Sequence, residues 1–316
     1  MKPDRLTNPA LGWLTALSFV SGLVANAFGT DWGLAVVHGL MGLALLWFVP
    51  WKRVIVVRGL RRGRPGSWIS VLLGLFTLLT VAAGMAHSTG WATQIGPLGA
   101  MQIHIGAAVA TTILLLIHIR ARPAPPLNLD RRVVLRLLGV GAGASALWVG
   151  TGLTSSNRRF TGSHRVAQPI ATQWLDDRPP AMVDAVGVTF VAGPDLRWID
   201  LSVIPQERFE AILDCTSGWY AIVEFNGVRL DSIIEPKDAP TLLVRSATGY
   251  RRTFPTRDLN RLWLATEMNG EPLRIDHGAP VRLVAPDRRG FWWVKWVESM
   301  ELVEAPWWLQ SPYPVQ

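Results

Sequence analysis

The sequence predicts a multi-domain membrane protein, with an N-terminal all-α transmembrane bundle of 4–5 helices and a C-terminal α+β domain that is mostly β. The 316 residues are 49% hydrophobic and only 17% charged, whereas ordinary soluble domains have roughly 25% charged residues. Most of the apolar excess lies before residue 155. After it, short alternating segments separated by turn residues are typical of strands.

Five apolar stretches are each long enough to supply the roughly 20 helical residues that cross a bilayer. They are 10–28, 33–51, 67–87, 99–119 and 135–153, and the last is richer in Gly and Ala. Residues 1–155 are therefore the predicted transmembrane bundle, and residues 156–316 are the predicted second domain.

The basic residues predict how this bundle is oriented. Residues 1–155 carry 13 Lys and Arg but 3 Asp and Glu, whereas residues 156–316 carry 18 and 20. All 13 fall before the first stretch or near the connections from second to third and from fourth to fifth. The positive-inside rule places these segments in the cytoplasm. A multi-pass protein of the cell membrane is expected, with the lipid bilayer as partner and an extracytoplasmic C-terminal domain. The net charge of +8 belongs to the membrane half and does not indicate nucleic acid.

The fifth stretch carries a second signal. Arg131 and Arg132 stand before a Gly-rich apolar run, an arrangement that resembles a twin-arginine export signal embedded in the chain. Such a signal would allow a domain that folds in the cytoplasm to cross the membrane folded. Alternatively, the two arginines are only positive-inside anchors.

Four of the six histidines lie in or at the ends of these stretches, and ionisable residues within a membrane are candidates for function. His38 and His104 each lie roughly 8 Å below the outer surface. Two histidines at matched depth can ligate one haem iron, so one haem b is expected here, with His87 able to replace either ligand. His118 has the spacing from His104 seen in di-haem cytochromes b, but Lys52 occupies the partner position, so His118 is interpreted as interfacial. The alternative is that these histidines only hydrogen-bond within the bundle.

The second domain is predicted as a set of short strands with one helix. Strands are expected at 198–204, 241–246, 280–284 and 291–303, and a helix at 205–213. Residues 219–225 and 228–230 are predicted to form a hairpin, because the intervening Asn226-Gly227 pair favours a tight turn.

Cys215 is the only thiol in the chain and follows the predicted helix in a loop of small residues. A lone thiol cannot form an internal disulfide, and small side chains let a bulky cofactor approach the backbone. A thiolate can serve as a soft metal ligand. The other interpretation is a buried cysteine that only packs in the core.

The Cys215 loop, the segment His277-Gly278-Ala279-Pro280-Val281-Arg282 and the run Trp293-Val294-Lys295 together resemble the molybdenum-cofactor domain of the sulfite oxidase family. The resemblance spans about residues 157–304, and in that family one cysteine thiolate binds molybdenum directly. It implies that Cys215 is the catalytic molybdenum ligand. It also implies molybdopterin contacts from Asn157, Phe160, Thr161, Ser246, His277, Arg282, Trp293, Val294 and Lys295.

We therefore expect a membrane-anchored molybdopterin-dependent oxidoreductase that transfers an oxygen atom to or from a small-molecule substrate. Its electrons would pass through haem b to or from membrane quinone or another electron carrier. One alternative is a haem-free anchored enzyme that uses an external carrier. The other is a non-catalytic binding module, favoured by a segment at 163–190 that is shorter than in the family.

Overall fold

The computed structural model describes residues 6–28, 32–63, 65–96, 98–121, 131–151, 158–170, 178–180, 186–236 and 238–311. The chain divides into two compact units, Met1–His164 and Arg165–Gln316, which are described separately. Asn157, a predicted cofactor contact, lies outside the described residues.

The first unit is a bundle of α-helices. They are α1 (Thr7–Phe28), α2 (Trp32–Trp47), α3 (Val49–Arg61), α4 (Ser67–Thr89), α5 (Ala100–Ala121) and α6 (Arg131–Gly150), with a small hairpin of β1 (Gln94–Ile95) and β2 (Leu98–Gly99) before α5. Within the described residues, four helices are long and apolar enough to cross a membrane, or up to five if α2 and α3 count as one broken span. The prediction of 4–5 apolar helices is confirmed.

The second predicted span, 33–51, is not one straight helix. The chain turns at Phe48, and the helices on either side are bent by 48°. Pro50 lies in the first turn of α3, where its missing N–H costs no helical hydrogen bond. The basic segment between the second and third predicted stretches is largely helical. Lys52 Nζ donates to Asn8 Oδ1 at 2.9 Å, which ties α3 to α1.

Two tryptophans fix α2 against α6. A Cβ at Gly39 would lie 2.1 Å from the Trp148 ring, and a Cβ at Gly143 would lie 2.6 Å from the Trp47 ring. Each helix therefore presents a ring to a glycine on the other, and the two contacts set the position of α2.

The second unit consists of strands and 3₁₀ turns. The strands are β3 (His164–Arg165, at the unit boundary), β4 (Gly187–Ala192), β5 (Asp195–Asp200), β6 (Glu207–Asp214), β7 (Trp219–Arg229), β8 (Thr241–Ser246), β9 (Arg251–Pro255), β10 (Trp263–Met268), β11 (Glu271–Pro272), β12 (Arg282–Val284) and β13 (Val297–Val303). In one sheet β7 lies between β6 and β10, and β10 also pairs with β11 and β12. The other sheet has the order β5-β4-β13-β8-β9, in which only β4 and β13 are parallel. Side chains from both sheets meet in one apolar core.

The expected helix at 205–213 is wrong. The described part of the second unit consists of strands and 3₁₀ turns and has no α-helix, so the prediction of a mostly β domain is confirmed while its one helix is not found there. Residues Glu207–Asp214 form β6, in which Ala211 and Leu213 are buried while Ile212 between them is exposed. This period of two and eight paired positions with β7 outweigh the local helical signal.

The expected hairpin turn at Asn226-Gly227 is also wrong, because both residues lie inside the continuous strand β7. A Cβ at Gly227 would lie 2.3 Å from the carbonyl oxygen of Leu264 on β10. Glycine is needed here so that two backbones can approach closely, not for a turn. The hairpin turn lies at the other end of β7, where it joins β6.

The remaining strand predictions agree wholly or in part with the structure. The strand expected at 241–246 is confirmed as β8, and those at 198–204 and 280–284 overlap β5 and β12. The strand expected at 291–303 begins only at Val297, since Gly290–Trp292 form a 3₁₀ turn.

Replacing Gly227 with Val should destabilise the second unit by about 1–3 kcal/mol or more, because the added atoms would overlap the backbone of β10. The measurement is chemical denaturation of the full protein followed by near-ultraviolet circular dichroism. Glu224→Ala, at an exposed position on the same strand, serves as the control and should change stability little. Equal stability of Gly227→Val and wild type would contradict the assigned close contact.

Candidate functional site

Cys215 lies at the tip of the β6–β7 hairpin. Its backbone N–H donates to the carbonyl of Trp219 at 2.8 Å, and the N–H of Gly218 donates back to Cys215 O at 3.1 Å. Gly218 has a φ of +94°, a conformation that favours glycine. The thiol is partly exposed, and its Sγ lies 3.1 Å from Ser217 Oγ. The small-residue loop predicted around Cys215 is thus a tight turn that presents the thiol.

A second segment, Arg289-Gly290, packs against the backbone of this turn. A Cβ at Gly290 would lie 3.1 Å from Asp214 O and 3.3 Å from Cys215 Cα, closer than ordinary van der Waals contact. Arg289 Nη1 pairs with Asp214 Oδ1 at 3.2 Å, with side chains 7% and 5% exposed. Sequence reasoning missed Arg289 and Asp214. The available signal was their adjacency to Gly290 and Cys215.

The guanidinium of Arg289 also has a polar atom suited to a ligand. Its Nε is buried and has no hydrogen-bond partner among the described residues. A buried donor of this kind next to a partly exposed thiol fits an acceptor-rich, anionic cofactor better than it fits an apolar core.

The segments of His277 and Lys295 pack against each other. Gly278 has a φ of +106°, and a Cβ on it would lie 3.1 Å from Lys295 Cα. Trp296 N–H donates to Gly278 O at 3.3 Å, and its indole N–H donates to Ile275 O at 2.7 Å. The glycine in the His-Gly-Ala-Pro-Val-Arg segment is therefore the contact point with Lys295.

Electrostatics keep His277 neutral near pH 7. Its side chain is 8% exposed, and burial is the largest cause that lowers its pKa. Asp276 raises the pKa, whereas Arg282, Lys295 and Arg274 lower it further. The folded state therefore binds fewer protons than the unfolded state, so this group favours folding above about pH 6.5 and loses that effect as the pH falls.

Arg282, Trp293 and Ser246 border the same region. The Arg282 guanidinium is buried and lies 5.6 Å from the centre of the Trp293 ring. Trp293-Val294-Lys295 precede β13 rather than lying on it, and Val294 O accepts from Leu283 N at 2.7 Å. Ser246 ends β8, next to Ala247, whose N–H donates to Trp296 O at 2.9 Å.

The remaining predicted cofactor contacts lie in the first unit. Phe160 and Thr161 are half-buried and lie in a turn that Arg159 and Ser163 close with a 3.0 Å backbone hydrogen bond. One aromatic contact of this turn is the Arg159 guanidinium, 5.4 Å from the Phe160 ring centre.

The helical unit brings His38 and His104 together. Their ring centres are 5.9 Å apart and the planes are at 88°. Each ring packs on a glycine of another helix: a Cβ at Gly22 would lie 2.9 Å from His38, and a Cβ at Gly84 would lie 2.8 Å from His104. The two histidines predicted at matched depth are thus adjacent in space.

Hydrogen bonds fix the tautomers of both rings. His104 Nδ1 is 2.8 Å from the carbonyl oxygen of Thr80, which can only accept, so Nδ1 carries the hydrogen. Ser21 donates its hydroxyl hydrogen to Ser18 O at 3.0 Å and therefore accepts from His38 Nδ1 at 3.0 Å. Each ring consequently keeps its Nε2 lone pair for a ligand, as metal-binding histidines do.

The other two candidate histidines lie elsewhere. His87 is paired with His164, with ring centres 5.0 Å apart, and its Nε2 donates to Gly162 O at 3.1 Å. His118 Nδ1 lies 3.5 Å from Ser70 Oγ. His164 was not identified from the sequence.

Comparison with known proteins gives the class of the second unit. Residues 187–310 match the family model described as oxidoreductase molybdopterin binding domain. A 50-residue segment is 50% identical to NADPH nitrate reductase of Aspergillus niger and 48% identical to that of Emericella nidulans, and covers 16% of this chain. That segment spans only 6% of the length of either relative. The crystal structure of the sulfane dehydrogenase SoxCD from Paracoccus pantotrophus matches 41% of each chain with 24% identity and a TM-score of 0.38.

Residues 187–310 are therefore similar to an oxidoreductase molybdopterin-binding domain, which agrees with the molybdenum-cofactor domain predicted from the sequence. The prediction of an oxidoreductase is confirmed for this matched domain.

Replacing Arg289 with Met should destabilise the second unit by about 3–5 kcal/mol, because the Asp214 carboxylate would stay buried without this guanidinium. Denaturant unfolding measures the loss. The double variant Asp214→Asn, Arg289→Met should recover most of it. If the double variant is no more stable than the single one, the ion pair is not the cause.

Proposed function

We propose that this protein is a membrane-anchored, molybdopterin-dependent oxidoreductase of the sulfite oxidase-like type, with one haem b in its helical unit. The observation that carries the proposal is the partly exposed Cys215 thiol, held on a tight turn within a domain that matches a molybdopterin-binding family. Cys215 packs against the apolar core but is only partly buried, whereas free cysteines that serve only in packing are among the most buried residues.

Several residues of the second unit suit the cofactor. Cys215 Sγ is a soft ligand for molybdenum. Molybdopterin carries a phosphate, which Arg282 and Lys295 can neutralise and Arg289 Nε can hydrogen-bond. His277, neutral near pH 7, can accept or donate one hydrogen bond to the pterin. When bound, the cofactor supplies the exchange of an oxygen atom and two electrons with a small-molecule substrate.

The helical unit fits one haem b. The rings of His38 and His104 are adjacent, and because their Nδ1 atoms bond to Ser21 and Thr80, the Nε2 lone pairs are left for a ligand. Hydrogen bonds of this kind orient metal-ligating imidazoles and raise their basicity. The haem would pass electrons singly to or from membrane quinone or another electron carrier. Asn157, Phe160 and Thr161 remain proposed pterin contacts on the strength of the family resemblance.

The membrane placement rests on the apolar helices and on the charge asymmetry. We place the N-terminus in the cytoplasm and the molybdopterin domain outside. Arg131 and Arg132 stand exposed in the first turn of α6, where a twin-arginine signal would be accessible. This export route would carry the folded domain across the membrane.

Cys215→Ser should remove one sulfur from the molybdenum coordination shell and abolish oxygen-atom transfer, while the fold is retained. X-ray absorption at the molybdenum edge of the purified holoprotein measures the sulfur count directly, whatever the substrate. Ser217→Ala, whose hydroxyl contacts Sγ, is the control and should keep the wild-type count. An unchanged sulfur count in Cys215→Ser would exclude Cys215 as a ligand.

His38→Ala and His104→Ala should each remove the Soret absorbance of the haem, because each takes away one of the two histidines that would hold its iron. His118→Ala should keep it, because His118 lies 14 residues after His104, about 21 Å further along the helix. If both axial variants retain an unchanged spectrum, the ligand assignment is wrong. Wild-type protein that lacks the Soret band altogether would favour a haem-free enzyme supplied by an external carrier.

A further inference from the structure

We infer that the β1–β2 hairpin between α4 and α5 is a lipid-contacting anchor, whose exposed apolar side chains lie at the headgroup boundary of the outer leaflet. The inference rests on the membrane placement in the proposed function, and it involves neither the cofactors nor the second unit. We call Trp91, Ile95 and Leu98 the anchor residues.

The whole segment from α4 to α5 carries no formal charge apart from its histidines. No Lys, Arg, Asp or Glu occurs between Arg64 and Arg120, a run that includes the hairpin as well as both helices. A charged side chain is costly within a bilayer. A hairpin that enters the membrane boundary must therefore lack such side chains, as this one does.

The anchor residues are apolar and face away from the protein. Trp91 is 86% exposed, and Ile95 and Leu98 are each 49% exposed. Ile95 and Leu98 are cross-strand partners, so their side chains lie on the same face of the hairpin. Contact with lipid would remove this apolar surface from water, and tryptophan is enriched at the boundary between membrane and water.

Hydrogen bonds inside the segment prepare its backbone for this environment. Ala92 N–H donates to Ala86 O at 3.3 Å, and Ala100 N–H donates to Thr93 O at 2.9 Å. Backbone groups that are left unpaired away from water cost several kcal/mol each, so these internal bonds lower the cost of bringing the hairpin to the lipid boundary.

The position of the hairpin along the chain selects the bilayer as its partner. It joins α4 to α5, and each of these helices is long and apolar enough to cross a membrane. The two helix ends that it connects lie at the same membrane surface, so the hairpin lies at that surface too. The basic residues of the neighbouring connections place that surface outside.

The hairpin is also bonded to the helix that carries a proposed haem ligand. Gly99 N–H donates to Gln102 Oε1 in the first turn of α5 at 2.8 Å, and Ala100 at the start of α5 is fully buried. His104 lies about one turn further along. Contact of the anchor residues with lipid would therefore hold the start of α5, and His104 with it, at a fixed depth.

The test uses the full-length protein in nanodiscs of phosphatidylcholine and phosphatidylglycerol in which some lipids carry a diazirine on one acyl chain. Irradiation followed by peptide mass spectrometry locates the lipid label. We expect label on the anchor residues. Leu79 of α4 and Val109 of α5, which are also exposed apolar residues, should be labelled as well and report that the helices are inserted.

The double variant Ile95→Glu, Leu98→Glu should lose most of the hairpin label, because two carboxylates would move the hairpin away from the lipid. Leu79 and Val109 should keep their label, which shows that the helices remain inserted. Gln94→Glu is the matched control, because Gln94 is exposed and adjacent to Ile95 but points to the other face of the hairpin. It should keep the wild-type label on the anchor residues.

A hairpin without label, in wild-type protein whose Leu79 and Val109 are labelled, would overturn the inference. Hydroxyl-radical footprinting would then show whether water or another protein surface, such as a second copy of the chain, covers the hairpin. Equal label in the double variant and the wild type would also overturn it. If Leu79 and Val109 are unlabelled in the wild type, the membrane placement in the proposed function is wrong, a result distinct from failure of the anchor alone.

Discussion

The close approach of Gly290 to the Cys215 turn is the constraint on which the site depends. The β6–β7 ladder runs up to the pair Asp214 and Tyr220, so the turn that follows has no freedom to shift along the strands. Gly290 packs against the backbone of the turn, and the ion pair between Asp214 and Arg289 holds the two segments together. The backbone that carries the thiol is therefore held in place, as the support around a metal ligand requires.

In the helical unit, close packing on glycines and hydrogen bonds likewise position the candidate ligands. His38 and His104 face each other because glycines on α1 and α4 leave room for their rings. Ser21 and Thr80 then fix which nitrogen carries the hydrogen. Both units thus place a potential metal ligand by close backbone approach and hydrogen bonding, and in both the supporting residues lie far along the chain from the ligand they orient.

The features predictable from the sequence were those with a local signal. Apolar length indicated the helices, matched depth brought His38 and His104 together, and small residues marked the loop at Cys215. The predictions of a helix at 205–213 and of a turn at Asn226-Gly227 are wrong because long-range strand pairing determines both segments. Residues 207–214 form β6 by pairing with β7, and Gly227 allows the backbones of β7 and β10 to approach closely. Arg289 and His164 were not predicted because their partners, Asp214 and His87, lie 75 and 77 residues away in the chain. A local sequence pattern does not indicate a contact over that separation.

Elemental analysis of the detergent-purified protein for molybdenum and iron together tests the central claim most directly. The account predicts molybdenum and iron in equal amounts per chain, since it assigns a single molybdenum ligand, Cys215, and one pair of haem-ligating histidines, His38 and His104. Molybdenum without iron would contradict the haem assignment and leave the histidines as structural residues. Iron without molybdenum would contradict the account of Cys215 and leave a cytochrome with an outer domain of another use.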